Sequence, residues 1–249
     1  MCFSSLTTVT IGRGPDYDNL RYDTSECVEI MHSAPNLMAC TFCNVYYIDI
    51  DRLPTSLVTH SMLRRLTLYG YPTVTEGFYH SSAFILRHLT LPALEYLSIS
   101  CDETSRENIC AFLARSSPPL KSLYMVTAGN NIFVDDVEHF LRLIPTVTNL
   151  YLWAEEFAFA VILAIGSHIL PNIRNLMIFG HPDRDEYAKV LSVLSARKAS
   201  GSPLKSLKIV WGCEGEKDSQ LDENVIAGMR QLAADGMDIH IGIENKNNI

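Results

Sequence analysis

The chain has 249 residues, 47% of them hydrophobic and 19% charged, which gives enough apolar material for a continuous core and too little polarity for disorder. Lys and Arg number 20 against 28 Asp and Glu, a net charge of −8, and no stretch is basic. Nucleic acid and anionic membrane surfaces, both polyanions, are therefore excluded as expected partners. The opening MCFSSLTTVTIGRGP lacks the cationic and apolar regions of a secretory signal. Seven cysteines, odd in number and scattered, do not read as a disulfide framework, so a reducing compartment, cytoplasmic or nuclear, is expected.

From the N-terminus onward one hexad recurs, an aliphatic version of L-x-x-L-x-L: LTTVTI at 6–11, LMACTF at 37–42, LRRLTL at 63–68, LEYLSI at 94–99, LKSLYM at 120–125, VTNLYL at 147–152, IRNLMI at 173–178 and LKSLKI at 204–209. Successive copies begin 26 to 31 residues apart. A leucine-rich repeat takes roughly 20 to 29 residues, and the mean spacing here falls in that range. Within each copy the fourth and sixth positions lie two apart and share one face of a strand. The expected inward pairs are Leu66/Leu68, Leu97/Ile99, Leu123/Met125, Leu150/Leu152, Leu176/Ile178 and Leu207/Ile209.

Between hexads the apolar period becomes helical. Ile109, Phe112 and Leu113 follow Ser105; Val137, Phe140, Leu141 and Ile144 follow Asp135; Tyr187, Val190, Leu191 and Leu194 continue the series, and Val225, Met229 and Leu232 follow Asp222. The uncharged run Phe157 to Gly166 is half of what a bilayer requires and reads as a buried helix. Residues 44–62 are less regular. LRHLTL at 86–91 lies too close to the next hexad for a full helix and reads as a return loop with a short extra strand. DIHIGI at 238–243 alternates as a last strand. Repeats of this kind cannot bury their own edges, so the expected fold is an α/β leucine-rich-repeat solenoid. It would place a parallel sheet on the concave face and helices on the convex face, in about eight irregular repeats. A single domain over 1–249 is expected, with 1–62 and 238–249 as less regular caps.

Phrases such as LRRLTLYGYP, HLTLPALEYLSI and FLARSSPPLKSLYM resemble the repeat region of fungal F-box proteins of the leucine-rich-repeat type, over about residues 60–210. The resemblance implies a non-enzymatic substrate adaptor of a ubiquitin ligase, in which the repeats hold the substrate. It also implies a Skp-type adaptor as partner where an F-box lies upstream, since no Leu-Pro-x-Glu helix run precedes the first repeat here. The consensus Asn or Cys eight residues after each first Leu is missing; Gly14, Val45, Tyr71, Asp102, Ala128, Glu155, His181 and Gly212 stand there, so irregular turns are expected. A free-standing repeat scaffold or inhibitor is the alternative.

No catalytic constellation is legible. Cys40 and Cys43 form a C-x-x-C, which at that spacing suits redox work or half a zinc site, but no second ligand pair follows and Cys40 falls on an inward position. No cofactor and no metal are expected. The outward strand positions carry the candidate site: Tyr69, Tyr96, Tyr124, Tyr151, Trp153, Met177 and Phe179 stand where a solvent-facing sheet ordinarily has small or polar residues. Exposed aromatics in a cluster mark a protein interface, or else cover the sheet by packing on one another. Asp102, Glu103, Glu155, Glu156, Asp183, Asp185, Glu214 and Glu216 follow the strands and make an acidic rim, suited to steering a basic partner or simply to solubility.

Overall fold

The computed structural model describes residues 3–12, 22–43, 45–46, 57–69, 82–101, 105–127, 137–153, 155–165, 169–180, 184–211, 222–243 and 246–247. It is an α/β structure whose long strands run parallel, and the chain divides into two compact units, Met1–Ile132 and Phe133–Ile249.

In the first unit the elements are β1 (Thr8–Ile11), β2 (Tyr22–Asp23), α1 (Thr24–Ser33), β3 (Ala39–Cys43), β4 (Val45–Tyr46), β5 (Val58–Thr59), β6 (Arg65–Tyr69), a 3-10 helix (Ser82–His88), β7 (Leu89–Thr90), β8 (Tyr96–Cys101), α2 (Arg106–Ser116) and β9 (Ser122–Thr127). Strands β1, β3, β6, β8 and β9 pair in that order, all parallel, while β2 pairs with β4 and β5 with β7. Register places Val9, Cys40, Leu66, Leu97 and Leu123 in one row, and Ile11, Phe42, Leu68, Ile99 and Met125 in another. From β3 to β9 both rows are buried.

The second unit contains α3 (Val137–Arg142), β10 (Asn149–Trp153), α4 (Glu155–Ile165), β11 (Asn175–Phe179), α5 (Arg184–Ala199), β12 (Ser206–Trp211), α6 (Glu223–Ala234), β13 (Asp238–Ile243) and β14 (Lys246–Asn247). Strands β10 to β13 pair consecutively and parallel; β14 closes antiparallel on β13, a pairing that the polar tail sequence did not announce. The buried rows are Leu150, Leu176, Leu207, Ile239 and Leu152, Ile178, Ile209, Ile241. Helix α4 covers the expected apolar run, and Asp222 caps α6 by accepting from the Asn224 N–H at 2.9 Å.

The hexad has a hydrogen-bond counterpart. The carbonyl of its second residue accepts from the second and third N–H groups of the next copy: Thr7 from Met38 (2.8 Å) and Ala39 (3.2 Å), Arg64 from Glu95 (2.8 Å) and Tyr96 (3.0 Å), Arg174 from Lys205 (2.8 Å) and Ser206 (3.0 Å). Tight turns precede four of the hexads, with Leu37, Leu94, Val147 and Ile173 N–H groups donating three residues back to Ala34, Leu91, Ile144 and Leu170. Pro35, Pro92, Pro145 and Pro171 occupy the second position of these turns, where a φ fixed near −65° is already correct and the missing N–H costs nothing.

Two arginines fasten the returns. Arg115, on α2, donates to the Leu86 and Leu89 carbonyls, both at 2.8 Å. On α5, Arg197, only 4% exposed, donates to the carbonyls of Ile165 (2.7 Å), Ile169 (3.2 Å) and Leu170 (3.2 Å) and to Ser202 Oγ (2.9 Å). Arg115 thereby ties α2 to the 3-10 helix and β7, and Arg197 ties α5 to the last residue of α4 and to the segment that leads into β11.

Candidate functional site

Parity along each strand separates two faces. The rows described above fill the buried one, and the alternate residues make the other. In the first unit the outward rows are Thr8, Ala39, Arg65, Tyr96, Ser122 and then Thr10, Thr41, Thr67, Ser98, Tyr124. Beyond them Tyr69 lies level with Cys43 and Ser100 level with Val126. Tyr69 is 46% exposed, while Tyr96 and Tyr124 are half-buried. The Arg65 guanidinium carbon sits 4.3 Å from the centre of the Tyr96 ring, a cation–π contact between neighbouring strands. Burial first, and then the phenols of Tyr69 and Tyr96, push the Tyr124 phenol above its ordinary ionisation range. The three tyrosines expected from the sequence are therefore gathered around one stretch of this face.

Ser98 was unremarkable in the sequence, where it passed as the small polar residue an open face should carry. It is 1% exposed, and its Oγ has no hydrogen-bond partner among the described residues. The signal for it was indirect: Tyr96 two residues before it and Tyr124 level with it are both large enough to cover a serine.

Along the second unit the outward rows are Asn149, Asn175, Ser206, Asp238, then Tyr151, Met177, Lys208, His240, and then Trp153, Phe179, Val210, Gly242. Side chains interact along the first row: Asn175 Nδ2 donates to Asn149 Oδ1 at 2.6 Å, and Ser206 Oγ donates to Asp238 Oδ2 at 2.9 Å. Trp153 and Phe179, adjacent in register, stack with ring centroids 5.1 Å apart and planes 18° from parallel. Tyr151, Met177 and Phe179 are half-buried, whereas Trp153 remains 54% exposed. The Trp153 and Phe179 rings pack on one another, and Trp153 nonetheless stays open to solvent.

Cys40 and Cys43 are not a thiol pair. An interval of three along β3 turns Cys40 inward, level with Leu66, and Cys43 outward, level with Tyr69. Burial pushes the Cys40 thiol up to about 12 and raises that of Cys43 as well, the reverse of an activated cysteine. Among the described residues no group of three or more His, Cys, Asp or Glu is placed to hold a metal, and no helix is long and apolar enough to cross a membrane. Of the acidic rim, Asp102, Glu103, Asp183, Glu214 and Glu216 lie outside the described residues, as does Asp135, the residue that the apolar series of α3 follows; Asp185 is exposed at the start of α5.

Scanned against protein-family models and searched against curated proteins, the chain matches none.

Proposed function

We infer that the chain is a protein-recognition module built as a leucine-rich-repeat solenoid, similar in kind to the substrate-holding repeats of an F-box adaptor, and that its outward strand face receives a partner protein. The observation that carries this reading is the Trp153–Phe179 stack. A tryptophan 54% exposed on a strand, fixed in orientation by the ring beside it, loses little entropy when a partner covers it. The repeated carbonyl bonds and buried leucine rows support the solenoid, since each strand depends on the next for its hydrogen bonds and for half of its packing. Such a module acts by position: it holds one protein where others can act on it.

Affinity capture with the full chain tests the reading. Partners retained by wild type and by an α5 surface control, Lys189→Ala, are expected to be lost with Trp153→Ala, at a cost of about 2 kcal/mol or more. The melting temperature should be unchanged, because Trp153 supports no buried row. Equal capture by all three proteins would remove this surface from consideration.

A further inference from the structure

We propose that the first unit's outward face contains a carboxylate-binding subsite formed by Arg65, Thr67, Ser98 and the phenols of Tyr69, Tyr96 and Tyr124, taking an Asp or Glu side chain of a bound protein segment. The proposal rests on the partner-binding reading above and names the chemistry of the partner.

Arg65 is the one charged residue among the described outward strand positions of this unit, and it is cationic in a protein of net charge −8. It ion-pairs with no carboxylate among the described residues. Glu95, next in sequence to the Tyr96 that lies level with Arg65, is engaged elsewhere: it accepts from Lys121 Nζ at 2.7 Å and faces Arg64 at 3.7 Å. The Arg65 guanidinium carbon lies 4.3 Å from the centre of the Tyr96 ring and the side chain is exposed, and a guanidinium suits a planar, bidentate partner such as a carboxylate.

Ser98 supplies the second, independent observation. A hydroxyl that is 1% exposed with no partner among the described residues is costly to leave so, and this one stands on the outward side of β8, level with Thr67 and Tyr124. The guanidinium, the Thr67 and Ser98 hydroxyls and the tyrosine phenols share one stretch of sheet, and no described outward strand position of this unit carries a carboxylate. One positive charge with neutral donors matches a singly charged carboxylate; a dianionic phosphate ordinarily recruits more cations. The tyrosine rings around the patch favour an aromatic or aliphatic side chain next to the acid.

The probe is a display library of random heptapeptides with blocked termini, panned on the full chain. Enrichment of peptides with Asp or Glu at one position is expected. For an enriched sequence made synthetically, changing that residue to its amide should weaken binding about tenfold or more, and Arg65→Gln should erase the difference between acid and amide. Ser98→Ala should weaken the acidic peptide while leaving the melting temperature equal to or above wild type, a combination that a merely structural serine would not give. The proposal is overturned by enriched peptides without an acid, by an acid preference that survives Arg65→Gln, or by a phosphoserine version that binds better than the carboxylate. Peptides that depend on Trp153 but not on Arg65 would remove the subsite and leave the recognition face standing. A library that yields no binder would remove both.

Discussion

Cys40 packs inside the sheet of the first unit, and burial raises its thiol from the ordinary 9.0 to about 12. Cys27, on α1, is pushed up further still, by burial first and then by Cys40 itself. A thiol whose folded value is raised favours the folded state below its unfolded value, and that contribution disappears as the pH rises between 9 and about 12. We therefore expect the melting temperature to fall more steeply between pH 9 and about 12 for wild type than for Cys40→Val, where that position no longer ionises. A thiol reagent at neutral pH should modify Cys40 only as fast as the chain unfolds. At the same scale, Leu150→Ala removes a fully buried side chain from the inward row of β10 and should cost about 2 to 5 kcal/mol, read by thermal or denaturant unfolding.

Among the elements, the arginine devices carry a prediction that no hexad contains. Leu170 is held with φ at 56°, a left-handed conformation costing roughly 1 to 2 kcal/mol for a residue with a Cβ. Its carbonyl is held by Arg197. Arg197→Met keeps much of the aliphatic volume but strips three carbonyls of a donor, so a loss of about 3 kcal/mol or more is expected. Arg197→Lys should recover little of it, since one ammonium cannot reproduce the fork. Chemical denaturation of the two variants checks this.

Strands were readable because parity is a rigid rule: the six inward pairs named from the sequence are all buried. Helices were readable where their period ran long, as in α5 and α6. Helix α1 was passed over although its capping box is written in the sequence, with Ser25 N–H donating to Asp23 Oδ1 and Asp23 N–H to Glu26 Oε2, both 3.2 Å. Ser105, which precedes α2, makes no side-chain cap. The stretch at 86–91 was half legible: β7 is the expected extra strand, whereas Ser82–His88 forms a 3-10 helix too short to show a period.

On the scale of the whole molecule, each compact unit is a run of strands that lean on their neighbours, so damage should travel along the sheet. In Leu150→Ala, hydrogen exchange measured by mass spectrometry should quicken in β11 and β12 as well as in β10, because their buried rows continue through Leu150. Exchange confined to β10 would mean that the repeats are independent. The aromatic positions of the candidate face were visible in the sequence, since outward parity follows directly from the hexad. The burial of Ser98 was not, because the hexad encodes which face a residue takes and not what lies over that face.

The central claim is that the outward strand face is where a partner protein sits. Hydroxyl-radical footprinting of the full chain, alone and with its captured partner, measures this residue by residue. Trp153 and Phe179 should become protected on binding, while the exposed Leu163 on α4 continues to oxidise at its unbound rate. Protection of Leu163 with Trp153 left as reactive as in the free chain would contradict the account.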